Sequence, residues 1–224
     1  MLSWASFKTD FFSEYSQGEH VLAIGQNGSG KTYLELSLMS SAYSRGAWEA
    51  VFWTKPKDME LDRFQKYHPG KIVDSPGHNF AKPPRMVYVR PKAKTLGELK
   101  DTQTQVFEDA LNGIWNAGNW IIYLDEIRYL SQLLGLTTEL QIMYTQARSS
   151  GIGLWAGIQR PRWMPVEALT EVKHFFIGQL SDRQDKKRVA EVIGYRAVEL
   201  SEKLKPHEFI YARPGGYLAK VRAA

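Results

Sequence analysis

Four apolar runs without polar alternation stand out along the chain, at 21–24, 50–54, 120–126 and 151–158. Such a run, apolar on both faces, is typical of a strand buried inside a parallel sheet. The run at 120–126 ends in two adjacent carboxylates, and the runs at 21–24 and 151–158 each lead into a polar turn. The pattern therefore predicts a covered sheet that carries polar groups at the ends of its strands.

Helical patterns occupy the intervals between these strands. A helix-forming segment follows residue 32 and ends near residue 46, and apolar side chains recur on one side of 96–117. Two further helical patterns lie at 137–149 and 183–193. Strands that alternate with helices predict an α/β fold in which a central, mainly parallel sheet is flanked by helices.

The two ends of the chain have patterns of their own. Residues 1–18 carry five aromatic side chains at roughly helical spacing, which indicates an amphipathic lead-in packed on the core or on a neighbouring subunit, with the core favoured. A turn at 213–216 between two apolar runs predicts a C-terminal β-hairpin. We interpret His174 and His207 as structural residues within strands. The length of 224 residues fits one domain over 19–224.

Charge and composition narrow the class of protein. The 29 Lys and Arg exceed the 24 Asp and Glu, which favours a polyanionic partner. Seven of these cations lie within 66–94 beside a single acid, so 55–94 is either a basic loop that follows a phosphate backbone or an ordinary solvated loop around a short strand at 86–89. Cysteine is absent, which excludes disulfides and thiolate metal sites. We expect a cytoplasmic protein with no transmembrane segment of its own.

A phosphate-binding motif joins the first strand to the first long helix. Residues 25–32, Gly-Gln-Asn-Gly-Ser-Gly-Lys-Thr, fit G-x-x-x-x-G-K-[ST] between a strand and a helix, which is the setting that this motif requires. Glycines allow successive N–H groups to point at phosphate oxygens, and the helix adds its positive end. Lys31 should reach the β- and γ-phosphates, and the Thr32 hydroxyl should bind Mg²⁺. The predicted nucleotide-binding residues are Gly25, Asn27, Gly28, Ser29, Gly30, Lys31 and Thr32.

Asp125 and Glu126 close the strand in the middle of the chain. Two acids at the end of a buried strand are costly unless a partner compensates them, and a Mg²⁺-nucleotide at the carboxyl edge of the sheet is such a partner. Because side chains alternate along a strand, the two carboxylates cannot serve the same atom. We therefore predict that Asp125 faces the metal and that Glu126 activates the water that attacks the γ-phosphate. A base of this kind favours ATP over GTP.

Two more polar residues belong to the predicted site. Gln159 follows the strand at 151–158, so its amide can contact the γ-phosphate or the attacking water if that strand neighbours the one that ends in Asp125. Arg148 precedes the same strand and should lie at the opposite edge of the sheet. It is therefore better placed to reach a neighbouring subunit's nucleotide, where an arginine stabilises the charge that develops in phosphoryl transfer. The alternative for Arg148 is an exposed cation favoured by the helix dipole.

The order of these motifs resembles the FtsK/HerA superfamily of DNA-pumping ATPases. The resemblance rests on the phosphate loop, the strand ending in Asp-Glu, and 147–153 leading into Gln159-Arg160-Pro161, with weaker similarity over 165–169, 174–178 and 182–185. It implies a RecA-like P-loop NTPase core that forms a ring of five or six subunits, with ATP at subunit interfaces and double-stranded DNA in the channel. It also implies the roles given above for the residues of the loop, for the two acids, for Gln159 as a sensor and for Arg148 as a trans-acting arginine.

The short chain is most similar to the genome-packaging ATPases of membrane-containing icosahedral viruses, since no segment is long enough for the extra domains of other members. The expected function is ATP hydrolysis coupled to packaging of viral DNA, in host cytoplasm and in association with the virion. A capsid vertex or a viral membrane protein is then a partner.

Three alternatives remain open at this point. A DNA-processing or conjugation motor has the same motifs, and neighbouring genes would distinguish it. A nucleotide-gated assembly protein would bind ATP yet need no stimulation by DNA. A small-molecule kinase is disfavoured, because a carboxylate that activates water would waste the phosphoryl group.

Overall fold

The computed structural model describes residues 3–223, except the side chains of Val166 and Glu167. Within this range one nine-stranded sheet has the order β3-β4-β2-β5-β6-β1-β7-β8-β9, and its first seven strands are parallel. The last two strands are antiparallel and form the predicted C-terminal hairpin, whose outer strand is an edge. The strands are β1 His20–Ile24, β2 Trp48–Phe52, β3 Lys71–Val73, β4 Met86–Val89, β5 Trp120–Leu124, β6 Gly153–Ile158, β7 Val172–Ile177, β8 Glu208–Arg213 and β9 Tyr217–Arg222.

Helices cover both faces of the sheet. One face packs against α1, α2 and α3, and the other packs against α4 to α8. Because both faces are covered, the central strands are apolar throughout, as the sequence pattern predicts. The helices are α1 Trp4–Glu14, α2 Lys31–Ser44, α3 Met59–Tyr67, α4 Leu96–Ala117, α5 Thr137–Gln146, α6 Val166–Glu171, α7 Arg183–Ile193 and α8 Tyr195–Ser201.

The strand order brings the polar strand ends together. β5 and β6 are parallel neighbours with Leu124 opposite Ala156, and β6 is the parallel neighbour of β1 with Ile158 opposite Ile24. The carboxyl ends of all three strands therefore lie at one edge of the sheet. The predicted α/β fold with a mainly parallel sheet and a terminal hairpin is confirmed.

The N-terminal helix packs on the sheet, as the interpretation favoured by its aromatic spacing predicts. Phe7 and Phe11 are buried, and both rings contact Phe176 and Tyr211. Trp4 donates its indole N–H to the Ser37 hydroxyl of α2. The division of the chain into 1–18 and 19–224 stays a prediction.

Several elements differ from the sequence prediction. The segment 55–94 contains α3 and β3 in addition to the predicted strand β4, and the rest of it is loop, as predicted. α8 was not expected, and β2 begins two residues earlier than predicted. His174 is buried within hydrogen-bond distance of Tyr211 and Glu19, whereas His207 precedes β8 instead of lying inside it. In the described range no helix is long and apolar enough to cross a bilayer.

Candidate nucleotide site

The phosphate loop curls between β1 and α2 as its glycines require. Gly28 and Gly30 have φ angles of +75° and +92°, in the left-handed region that L side chains disfavour. In this conformation the Lys31 ammonium folds back and donates to the carbonyls of Gly25 and Gln26, at 2.8 and 3.0 Å. The lysine is thus held over its own loop, where it can move onto a phosphate by exchanging one set of oxygen acceptors for another.

Other residues of the loop present polar groups near the same place. The Ser29 N–H donates to the Gln26 carbonyl at 3.2 Å, while the Ser29 hydroxyl is buried and has no hydrogen-bond partner among the described residues. Asn27 is exposed at the tip of the loop. Buried polar groups are normally satisfied, so an unpaired hydroxyl inside a phosphate loop is consistent with a ligand that brings its own oxygens.

The two predicted metal-binding residues are in direct contact. Asp125, at the carboxyl end of β5, is only 8% exposed. Its Oδ1 atom accepts from the Thr32 hydroxyl at 3.2 Å and from the Tyr123 hydroxyl at 3.3 Å. Two hard oxygen donors at this separation fit Mg²⁺, which takes one or two protein ligands and completes its shell with phosphate and water oxygens.

Lys55 also reaches this carboxylate, and the sequence analysis missed it. It follows the end of β2, and β2 is the neighbour of β5, so Lys55 comes to the same edge of the sheet as Asp125. Its ammonium forms an ion pair with Asp125 and a second one with Asp58 at 3.4 Å. Burial alone would lower the pKa of Lys55, yet the pair with Asp125 raises it above its usual value. In this structure a protein cation thus neutralises the predicted metal ligand.

Glu126 and Gln159 line one cavity of about 500 Å³ at the carboxyl edge of the sheet. Burial raises the pKa of the Glu126 carboxyl, and the N–H that Arg128 donates to it at 3.3 Å acts in the opposite direction. The strands β5 and β6 that carry the two residues are adjacent, as the role predicted for Gln159 requires. A half-buried carboxylate and an amide that line the same cavity can position and deprotonate a water.

A third acid, Glu35, lies behind the phosphate loop, and sequence reasoning also missed it. It is 1% exposed on α2, and neither of its carboxylate oxygens has a hydrogen-bond partner among the described residues. Burial raises its pKa well above the usual value, nearby Asp125 adds to that shift, and Lys31 opposes it. A Cβ on Gly157 would come within 3.2 Å of Glu35, so this glycine of β6 leaves room for the carboxyl group. The position of Glu35, four residues after Lys31, was the available signal.

Arg148 and Arg160 lie at opposite edges of the sheet, before and after β6. Arg148 is exposed in a short 3₁₀ turn, 147–150, that leads into β6 from the edge opposite the phosphate loop. Among the described residues its guanidinium has no ion-pair partner. Arg160, after β6, pairs with Asp182 and Asp185 at 3.2 and 3.1 Å. Arg148 is thus available to a neighbouring chain, and its trans role stays a prediction.

The fold is shared with solved genome-packaging ATPases and with VirB4. The DNA-packaging ATPase B204 of Sulfolobus turreted icosahedral virus aligns with a TM-score of 0.68 at 16% identity, over 92% of this chain and 98% of that one. The packaging NTPase B204 of Sulfolobus turreted icosahedral virus 2, in complex with AMPPCP, gives 0.65 at 13% identity, over 92% and 97%. VirB4 of Thermoanaerobacter pseudethanolicus gives 0.68 at 8% identity, over 91% and 88%.

These likenesses cover 91–92% of this chain, while the sequences have diverged widely. No protein-family model matches the chain, and no curated protein matches its sequence. The chain therefore has the fold of these packaging ATPases, which agrees with the resemblance to the FtsK/HerA superfamily.

Proposed function

We propose that this chain, built on the fold of the packaging ATPases, hydrolyses ATP as one subunit of a ring and moves double-stranded DNA into a viral capsid. The observation that carries the ATPase part is the contact of Thr32 with Asp125 beside the phosphate loop, with Glu126 and Gln159 on one adjoining cavity. The likeness to a viral DNA-packaging ATPase, over nearly the full length of both chains, supports the DNA part.

Binding begins with the loop 25–32 and the first turn of α2, whose N–H groups face the phosphates. Lys31 leaves the carbonyls of Gly25 and Gln26 and neutralises the β- and γ-phosphates. Thr32 and Asp125 would hold Mg²⁺, which would supply positive charge beside the phosphates. A metal held at Asp125 would repel Lys55, because the Lys55 ammonium contacts the Oδ2 atom of the same carboxylate whose Oδ1 atom accepts from Thr32.

Hydrolysis then depends on Glu126. Its carboxylate accepts a proton from water while the water oxygen bonds to the γ-phosphorus, and the bond from that phosphorus to the bridging oxygen breaks and releases ADP. Gln159 donates its amide N–H to the γ-phosphate or orients the water, so its contact is lost when inorganic phosphate leaves. Arg148 of the next subunit stabilises the charge on the transferred group.

Exposed lysines on α3, β3 and the segments beside β4 are the surface we assign to DNA. Five of the seven cations in 66–94 are exposed. The other two are engaged within the chain, since Arg85 lies over the Tyr43 ring and Arg90 lies over the Trp53 ring at 3.6 Å. A surface of free lysines binds the phosphate backbone without reading sequence, and its affinity falls steeply with salt.

The test is ATP turnover of the purified protein with and without duplex DNA. We expect turnover that rises with added duplex at low salt and loses this stimulation at high salt. Glu126→Gln should retain nucleotide binding while turnover falls by roughly 10²–10⁴-fold, and Glu108→Gln, a change of an exposed glutamate on α4, should leave turnover intact. Turnover retained in Glu126→Gln would remove Glu126 from its role.

A second candidate is a transfer motor that works outside capsids. The likeness to VirB4 and to the conjugation coupling protein TcpA, at a TM-score of 0.59, favours it as the alternative. Such a motor should also respond to DNA, so protection of DNA inside empty capsids during ATP turnover distinguishes the two. Slow turnover that ignores DNA would instead indicate an ATP-gated assembly protein.

A further inference from the structure

The C-terminal hairpin reaches back to the phosphate loop through His207. The His207 N–H donates to the Ser29 carbonyl at 3.1 Å, and the His207 carbonyl accepts from the Ala223 N–H at 3.1 Å. One residue thus ties the loop to the start of β8 and to the end of β9. This link is not needed to close the sheet, because β8 and β9 already pair along their full length.

The imidazole of His207 lies directly against Gly30. A Cβ atom placed on Gly30 would overlap the Nδ1 atom of His207. His207 itself has a φ of +64°, one of two left-handed non-glycine residues in the described range, and histidine is among the types that tolerate this region. The backbone is therefore held in a sparsely populated conformation that places an aromatic ring beside the phosphate loop.

An open pocket of about 240 Å³ adjoins this ring. Its lining residues are Tyr33, His207, Arg222 and Ala223. Tyr33 lies in the first turn of α2 and is 45% exposed although it neighbours the loop, and Arg222 is exposed at the end of β9. Two aromatic rings and a guanidinium are groups that stack on a planar base and donate to its ring nitrogens.

The sheet order places this pocket on the side where the nucleoside must lie. Asp125 and Glu126 follow β5, which is on one side of β1, whereas His207 directly precedes β8 and Arg222 ends β9, and both of these strands are on the other side of β1. If the γ-phosphate lies toward the two acids, the polyphosphate crosses the loop and its α-phosphate end faces the hairpin. The base would then lie on the side of the loop where the Tyr33–His207–Arg222 pocket opens.

We propose that Tyr33, His207 and Arg222 form the base-binding end of the nucleotide site and hold the aromatic base by stacking and by hydrogen bonds to its ring nitrogens. The inference rests on the proposed function, because it presumes a nucleoside triphosphate in the loop 25–32. It assigns a role in ligand binding to the C-terminal hairpin, and it explains why residue 30 must be glycine in this chain as well as in the motif.

The experiment compares ATP with inorganic tripolyphosphate, which has the phosphates without the base, by calorimetry in the presence of Mg²⁺. Tyr33→Ala, His207→Asn and Arg222→Gln should each weaken ATP binding by at least about fivefold and leave tripolyphosphate binding within about twofold. Asparagine suits the left-handed backbone at position 207. Tyr195→Ala, which removes a tyrosine that is 71% exposed elsewhere, is the matched control. Lys31→Ala should weaken both ligands.

The outcomes separate the inference from the function on which it rests. The base subsite is overturned if the three variants keep the melting temperature of the parent and weaken the binding of both ligands equally, or the binding of neither. The phosphate site is supported independently if Lys31→Ala loses the binding of both ligands. If the parent protein binds neither ATP nor tripolyphosphate, the proposed function fails and the base subsite fails with it. If one variant melts at a lower temperature than the parent, its binding data are set aside and the conclusion rests on the other two variants.

Discussion

Replacing Arg148 with alanine tests whether each nucleotide site is shared between two subunits. Arg148 precedes β6 and Gln159 follows it, and this strand has six residues, so about 20 Å separate the two edges of the sheet at about 3.3 Å per residue. Gly18, shortly before β1, packs closely against the turn that carries Arg148, since a Cβ atom on Gly18 would lie 2.6 Å from the Arg148 carbonyl oxygen. This turn is therefore held beside the start of β1. No arginine side chain spans that distance, so Arg148 cannot serve the phosphate loop of its own chain.

An arginine supplied by a neighbouring subunit is worth about 10³–10⁵ in kcat. We therefore expect Arg148→Ala to lower kcat by at least about a thousandfold while the affinity for ATP changes little. Lys31→Ala should be inactive for a different reason, because it damages the loop. When the two variants are mixed in equal amounts and assemble at random, about one interface in four joins an intact loop to an intact arginine, so about a quarter of the parent activity should return.

The assay is phosphate release measured after the mixed chains have exchanged, across a range of mixing ratios. Lys31→Ala mixed with Glu126→Gln is the matched control, because the loop and the base belong to the same subunit and no arrangement of these chains restores a complete site. The interpretation is refuted if the Arg148→Ala mixture recovers no more activity than this control.

Two further predictions concern buried charge. Lys55→Met should lower the Mg²⁺ concentration needed for half-maximal nucleotide binding by up to about fivefold, since a half-exposed ion pair contributes about 0.2–1 kcal/mol. Lys57→Met is the control. An unchanged or higher Mg²⁺ requirement in Lys55→Met would contradict competition between Lys55 and the metal for Asp125. Burial raises the pKa of Glu49 well above 4.5, so the folded chain binds a proton that the unfolded chain has lost, and stability falls as pH rises above about 4.5. Relative to the parent, Glu49→Gln should therefore gain unfolding free energy as pH rises above about 4.5, by at most about 1.4 kcal/mol per pH unit, in denaturant titrations. Glu108→Gln should follow the parent, and parallel pH dependences of parent and Glu49→Gln would show that Glu49 is ionised when buried.

The elements that the sequence predicts well are those whose signals are local. α4 begins and ends where its periodicity predicts, because Thr95 and Glu98 form a capping box and Gly118 follows its last turn. α7 has a comparable start at Asp182, whose side chain accepts the N–H groups of the next turn. Both helices are long or strongly amphipathic, so the local pattern and the tertiary packing favour the same structure.

The elements that the sequence analysis misses are short ones inside a polar, basic segment. α3 has two buried apolar side chains, Leu61 and Phe64, which is too few for a clear period. Its start was nevertheless visible, because Asp58 caps it by accepting from Glu60 and Leu61. β3 has three residues and pairs on one side with β4, so its structure is set by that neighbour more than by its own sequence.

The residues of the site also fall into two groups, those with a local sequence signal and those placed by tertiary structure. The residues of the phosphate loop and the Asp125-Glu126 pair are contiguous motifs, so their chemistry can be predicted from the chain alone. Lys55 and His207 reach the site because β2 lies beside β5 and because the hairpin folds back on Gly30. Partners of this kind arise from sheet order, which the sequence analysis did not predict in full.

The arrangement of charges itself argues for a metal-bound polyanion. The acids Asp125, Glu126 and Glu35 lie close enough for each to affect the pKa of another, and Lys31 and Lys55 are the cations that act on them. Three carboxylates held by two lysines leave the cluster one positive charge short when all five groups are ionised, and burial raises the pKa values of Glu35 and Glu126 accordingly. A divalent cation at Asp125 would remove that deficit, and a triphosphate would occupy the lysine that the loop now holds with its own carbonyls. A metal bound there would lower the pKa values of these acids and a bound polyphosphate would raise them, so the occupancy of the site and the protonation of the acids are coupled.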